Sequence, residues 1–235
     1  MRFLVFPSCF FGIYAKDVDI MTSRISGGKS LSGIEDTIAT DGGGRWYANA
    51  DSVALHKREK IMGWRAFVSA TGGGVDPFIF PICDARHQPV QGKTRVPHSD
   101  GTSFDDDTLY SQGDCSVFIA ENAPLRATTI KVTIQSLGRP LIGGERFTIV
   151  HETWRERAYQ IGQITDLTAT SATLQFHTPL REAVTAGTPV DFNNPRFVAR
   201  VEGQMSAPMS NPKFASGSVA LVEDMTGSYD MAEAA

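Results

Sequence analysis

A mainly β fold with a single amphipathic helix and a small barrel-like unit is what this sequence predicts. Three observations carry the prediction. Apolar residues alternate with polar ones over short runs, as in Tyr159-Gln160-Ile161-Gly162-Gln163-Ile164. The 22 glycines and 12 prolines interrupt the chain at short intervals. Only one stretch, 52–70, repeats its apolar residues with the period of a helix.

Strands are predicted by alternation and β-branching over 13–20, 32–40, 45–49, 76–82, 129–134, 146–150, 159–167, 172–176, 190–193, 197–201 and 218–222. The helix has Asn49 or Asp51 as its cap. Leu55, Ile61, Trp64, Phe67 and Val68 form its apolar stripe, and Lys57, Arg58, Glu59 and Lys60 lie elsewhere on the cylinder. Gly72-Gly73-Gly74 ends it. Such a helix among strands should plug an open end or cover one face of a sheet.

Residues 84–114 differ in character. They contain Pro89, Gly92, Pro97, Gly101, Gly113 and the run Asp105-Asp106-Asp107, with little apolar periodicity. This predicts a long surface loop, holding at most one short hairpin, of the kind that reaches a neighbouring subunit. Residues 128–196 read as a compact barrel-like unit of about five short strands. The segment 203–213 is loop-like, and 224–235 is a frayed tail.

Composition narrows the function. The chain has 235 residues, enough for one large β domain or for a body with a second small domain inside it. Its 22 Lys+Arg against 26 Asp+Glu leave a net charge of −4, so tight binding to a phosphate backbone is disfavoured. Cys9, Cys83 and Cys115 are too few and too scattered for a disulfide framework, and a reduced set is the simplest reading. Arg2 and the apolar run from Phe3 to Tyr14 have the outline of a secretory leader. Pro7 interrupts that run, and Ala15-Lys16-Asp17 lacks a small-x-small cleavage site. The run is also too short to span a membrane. It predicts an N-terminal strand or arm packed on the body or on a neighbour.

Catalytic and cofactor motifs are missing from the sequence: it has no G-x-S-x-G, H-E-x-x-H or P-loop, and no G-x-G-x-x-G between a strand and a helix. Neither Gly42-Gly43-Gly44 nor Gly72-Gly73-Gly74 leads into a helix that could hold phosphate. Cys83, His87, His98 and Cys115 are the right types for zinc, but only Cys83 and His87 are closely spaced. The Asp105-Asp106-Asp107 run lacks the spaced ligands of a calcium loop and reads as a solvated acidic loop. Glu121, Glu145 and Glu152 gain no support from spacing as a glycosidase pair. Trp154 and Tyr159 could form a sugar platform on the barrel, although packing in a core or interface is the favoured reading. No cofactor, metal or catalytic residue is assigned, and the chain reads as a structural protein rather than an enzyme.

A series of phrases points further. Ser23-Arg24-Ile25-Ser26 followed by Ser32-Gly33-Ile34-Glu35 resembles the opening of the distal tail proteins of long-tailed phages and phage-derived gene transfer agents. In the same order come Arg45-Trp46-Tyr47, Trp64-Arg65-Ala66-Phe67 and Asp76-Pro77-Phe78-Ile79-Phe80. Gly144-Glu145-Arg146-Phe147, Pro179-Leu180-Arg181, Gly187-Thr188-Pro189-Val190-Asp191-Phe192 and Ser218-Val219-Ala220-Leu221-Val222-Glu223 continue the likeness, which covers about 3–223. The loop 84–114 has no counterpart in it.

The resemblance implies a structural virion protein of the tail tip or baseplate, assembled in the host cytoplasm. Its body would be a β-sandwich with one flanking helix, made from 1–125 and 197–223, with 128–196 as an inserted barrel-like domain. It implies a homo-oligomeric ring, commonly a hexamer, joining the tail tube protein to the hub and tip proteins. DNA would only pass through the lumen, and no membrane insertion is implied. Trp64, Phe67, Phe78, Asp105, Asp106 and Asp107 are the candidate interface residues. A tube-completion or hub subunit, a carbohydrate-binding module using Trp154 and Tyr159, and a cell-wall hydrolase are the alternatives.

Overall fold

The computed structural model describes residues 3–11, 13, 17–40, 42–211 and 214–226. Up to Cys83 its elements are α1 (Ser8–Phe11), β1 (Asp17–Met21), β2 (Arg24–Lys29), β3 (Glu35–Ala39), β4 (Arg45–Leu55), α2 (Arg58–Ala70) and β5 (Phe78–Pro81). After a single 3-10 turn at Ala85–His87 come β6 (Gly92–Val96), β7 (Tyr110–Asp114), β8 (Ser116–Ile119), β9 (Thr129–Ser136) and β10 (Arg146–His151). Next are β11 (Arg155–Thr165), β12 (Ser171–Phe176) and β13 (Val190–Asp191). The chain closes with β14 (Arg196–Val201), β15 (Met209–Asn211) and β16 (Phe214–Glu223). The fold is mainly β with several sheets, as the alternation predicts.

Two compact units divide the chain. The first takes Met1–Cys83, Glu152–Arg157 and Arg196–Ala235, and the second takes Asp84–His151 and Ala158–Pro195. The second unit therefore takes in 84–127 as well as most of the expected 128–196, and leaves 152–157 to the first. Part of the reason is β8, which pairs with β9 and sends Val117 and Ile119 into that unit's core. At four residues, β8 is too short for alternation to stand out in the sequence.

In the first unit, one antiparallel sheet runs in the order β1-β4-β16-β14-β5, with β15 beside β16. The last strand in sequence thus sits between β4 and β14. The helix begins at 58, later than predicted, because 52–55 continue β4. Val53 and Leu55 are buried on either side of exposed Ala54, and the ladder to β16 extends to the Leu55–Ala215 pair. Asn49 and Asp51 accordingly lie in a strand, where the Asn49 amide donates to Asp51 at 2.8 Å. Lys57 precedes the helix with extended dihedrals and no side-chain cap.

Trp64 and Phe67 are the buried face of α2. They pack in T-shaped contacts with Phe6, and Phe67 also meets Phe78 at 5.1 Å between ring centres. The N-terminal segment is an arm packed on its own body. The Phe6 N–H donates to the Ile79 carbonyl and the Ile79 N–H to the Leu4 carbonyl, both at 2.8 Å. Residues 14–16 of the predicted strand 13–20 lie outside the described residues, 17–20 belong to β1, and Ile13 lies in no strand.

The second unit is a nearly closed barrel in the order β13-β10-β11-β12-β9-β8. The ends approach through a Phe118–Pro189 bridge and the Ile119 N–H to Thr188 carbonyl bond at 2.9 Å. Closure removes most of the exposed sheet edge. β9 shows the alternation in its plainest form, with Ile130, Val132 and Ile134 inward and the intervening residues outward. Phe147, Tyr159, Phe176 and Phe192 fill the interior, each at most 2 % exposed. No helix among the described residues is long and apolar enough to cross a membrane.

One ion pair ties three distant stretches of the first unit together. Arg157 is fully buried, and its Nη1 donates to Glu223 Oε1 at 3.0 Å and to the Asp224 carbonyl at 2.7 Å. Its Nε donates to the Trp154 carbonyl, while Glu223 Oε2 accepts the Trp46 N–H at 3.2 Å. Removing one partner leaves a buried charge without compensation. Arg157→Ala should therefore destabilise this unit by about 3–5 kcal/mol. All three tryptophans (Trp46, Trp64 and Trp154) belong to the first unit, so urea unfolding followed by tryptophan emission reads it selectively.

Candidate interaction surfaces

Among the described residues, two β-hairpins present exposed side chains that no core covers. The first pairs β2 with β3, matching Ile25 to Ile38 and Arg24 to Ala39. Every residue of both strands is exposed. Ile25, Ile34 and Ile38 are 63 %, 71 % and 65 % exposed, and Leu31 at the turn is wholly open. A two-stranded ribbon with no supporting layer is marginal in water. Contiguous aliphatic exposure of this kind marks a contact surface.

The second hairpin pairs β6 with β7. Its base is anchored where backbone passes close to backbone. A side chain at Gly138 would collide with the Gln91 carbonyl, and the Gly138 N–H donates to the Val90 carbonyl at 2.7 Å. The tip consists of two copies of one turn. In the first, the His98 N–H donates to the Thr102 carbonyl and the Gly101 N–H to the His98 carbonyl. In the second, Phe104 pairs with Thr108 and Asp107 with Phe104 in the same way. The third residue of each copy is an aspartate. Asp100 Oδ1 accepts the Thr102 N–H and hydroxyl at 3.0 and 2.6 Å, and Asp106 Oδ1 accepts those of Thr108 at 3.1 and 2.6 Å. The fourth residue is left-handed in both, with φ +84° at Gly101 and +61° at Asp107. His98-Ser99-Asp100-Gly101-Thr102 and Phe104-Asp105-Asp106-Asp107-Thr108 are thus a short internal repeat, carrying its ring at the first position.

The repeat brings His98 and Phe104 together. Their centroids are 4.6 Å apart, and Tyr110 joins at 4.9 Å from His98 and 4.7 Å from Phe104, all in T-shaped contacts. Phe104 and Tyr110 remain 37 % and 50 % exposed. Beside them lies a concavity of about 540 Å3, bordered by His98, Ser103, Phe104, Asp105, Asp106 and Thr108. The threonine hydroxyls, and then the backbone N–H groups, hold the Asp100 and Asp106 carboxyls below the usual carboxylate range.

The sequence-predicted residues divide sharply. Asp105, Asp106 and Asp107 are exposed at the tip of the second hairpin. Trp64, Phe67 and Phe78 belong to the core of the first unit instead of offering a surface, because the helix stripe packs on its own sheet and N-terminal arm. Tyr159 is fully buried, its hydroxyl bonded to His151 Nε2 at 2.8 Å and to the Arg181 N–H at 3.1 Å. It offers no sugar platform. Trp154 is half-buried with the Arg157 guanidinium 5.1 Å from its ring centre. Among the described residues no three His, Cys, Asp or Glu side chains gather as a metal ion would need. Glu145 binds the N–H groups of Ile142 and Gly143, both at 2.7 Å, and Glu121 pairs with Lys131. Burial, then the nearby Asp114 and Asp191 carboxylates, push the Cys115 thiol up to about 11, which makes it unreactive.

Sequence reasoning missed Ile25, Ile38, Phe104 and Tyr110. Two glycines in Arg24-Ile25-Ser26-Gly27-Gly28-Lys29 hide the strand, whereas the Asp-x-Thr repeat was a readable signal. No protein-family model matches the chain, and no curated protein matches it.

Two predictions follow from this geometry. The Arg86 guanidinium, gripping Asp84 through Nε and Nη2 at 2.9 Å, holds that carboxyl at about 2. A depressed carboxyl stabilises above its unfolded value and loses that contribution as pH falls through its folded one. The Asp84 carboxyl carbon should titrate near 2 by NMR, and in Arg86→Ala its midpoint should rise toward the ordinary range. At the tip, Asp107→Gly relieves a left-handed residue, a change worth roughly 0.5–1 kcal/mol locally. It should slow amide exchange at Thr108, whereas Asp106→Ala should speed it.

Proposed function

We propose that this chain is a structural subunit of a phage tail tip, of the distal-tail type, and that it works by assembling with copies of itself into a ring. The finer fold of this reading is a sandwich-like body flanked by α2 and carrying the inserted barrel. The ring is proposed as a hexamer joining the tail tube protein to hub and tip proteins. DNA passes through its lumen, and its place is the virion tail tip.

The observation that carries the reading is the β2–β3 hairpin. It exposes Ile25, Leu31, Ile34 and Ile38, and among the described residues no layer covers them. The phrases Ser23-Arg24-Ile25-Ser26 and Ser32-Gly33-Ile34-Glu35, which carry the resemblance to distal tail proteins, fall on this same hairpin. An aliphatic ribbon of this kind is suited to a heterologous contact, in which one copy's arm meets a different surface of the next and the series closes on itself.

Burying one isoleucine stabilises a contact by roughly 1.5–3 kcal/mol. Light scattering during size-exclusion chromatography should give a closed multiple of the subunit mass for the wild type. Ile25→Ser combined with Ile38→Ser should weaken each contact by about tenfold or more and yield monomer with unchanged tryptophan emission. A wild type that is monomeric at every concentration would sink the reading, as would a double variant that assembles as before.

A further inference from the structure

The tip of the β6–β7 hairpin is a second surface, chemically unlike the first. Between Pro97 and Leu109 there are four aspartates and no lysine or arginine, so this short stretch carries as much negative charge as the net −4 of the whole chain. Charge of that density normally keeps a loop solvated and free of apolar groups. Here Asp105 and Asp106 border the same concavity as His98 and Phe104, two of three rings packed together at the tip. Phe104 and Tyr110 remain open to solvent, and Phe104 borders a concavity of about 540 Å3.

We infer that this tip is a docking site for a basic, extended peptide segment of a partner protein, which places an arginine or lysine side chain on the Phe104–Tyr110 faces. Charge complementarity selects the occupant. A guanidinium stacks on an aromatic face and at the same time donates to carboxylates at its edge. The site supplies both partners. Asp100 and Asp106 each commit Oδ1 to a threonine, which fixes the orientation of the carboxylate, and Asp105 adds a further charge at the rim of the concavity. The repeated turn holds the rings in place before any ligand arrives, so little ordering cost attends binding. A neutral glycan could stack on the same rings but would not use the concentrated charge. The inference is independent of ring formation, since a monomer would carry the same tip.

The test uses the full chain and three probes: a capped peptide of alternating arginine and glycine, a matching peptide of glutamate and glycine, and a neutral glucose oligomer. Isothermal titration should detect binding of the arginine peptide alone, weakening as salt is raised. Phe104→Ala should reduce that affinity by about tenfold. Asp105→Asn should reduce it by several-fold, while Asp36→Asn, the same charge change on exposed β3, should leave it unchanged. Because Phe104→Ala could loosen the tip, Tyr110→Leu serves as a second variant that keeps apolar bulk but removes the ring face, and it should lose affinity as well. Absence of arginine-peptide binding would overturn the inference. So would equal losses in Asp36→Asn and Asp105→Asn, which would mean general attraction to an acidic protein. Binding of the glucose oligomer that competes with the peptide would overturn it in favour of a sugar site.

Discussion

The antiparallel ladder between β5 and β14 is the constraint on which the rest of the architecture depends. Phe78 to Pro81 pair with Arg196 to Ala199, and Pro81 stands directly opposite Arg196. The chain therefore leaves the first sheet and returns to it at neighbouring positions. Bringing those points together costs loop-closure entropy that grows only slowly with the length of the intervening chain. A whole barrel can occupy that interval because its own core supplies its stability. The same ladder aligns Phe80 and Phe197, whose rings meet in the core at 5.8 Å. β16 then enters between β4 and β14, so the sheet is completed only by the end of the chain, and its contacts are dominated by long sequence separations.

The buried Arg157 network shows the same economy of position. A cation in an apolar interior is stabilising only when its donors find oxygens in good geometry. Glu223, the Asp224 carbonyl and the Trp154 carbonyl meet that need. The consequence is specificity of register: a shift of β16 by one residue would turn Glu223 to the opposite face and strand the guanidinium.

Much of the barrel was legible because its strands are long enough to alternate. Thr129–Ser136 and Ser171–Phe176 show inward and outward residues without interruption. The predicted helix start is too early, because the apolar stripe takes in Leu55 although Val53 and Leu55, two positions apart, fit the period of a strand. The ladder to β16, a contact across the length of the chain, decides it. The stripe of Trp64 and Phe67 was correctly read as apolar, but sequence alone does not say whether an apolar face meets its own sheet or a neighbour. The N-terminal arm bearing Phe6 is what covers it. The acidic run was visible from the start, whereas the rings beside it became significant only when two equivalent turns placed His98 against Phe104.

The two uncovered hairpins illustrate why exposed surface has to be classified by chemistry as well as by area. The β2–β3 ribbon is aliphatic, and aliphatic contacts are strong but tolerant of their partner. Polar pairs on it, such as Ser26 to Glu35, give little discrimination by themselves. The β6–β7 tip has the opposite character. Its charge would penalise an acidic partner, and on the inferred role its rings would favour a flat cation. On the proposed reading, a subunit that recognises its own copies and also a different neighbour needs two surfaces whose preferences do not overlap. An aliphatic ribbon and an acidic aromatic tip satisfy that requirement, because a partner suited to one leaves the other's main attraction unused.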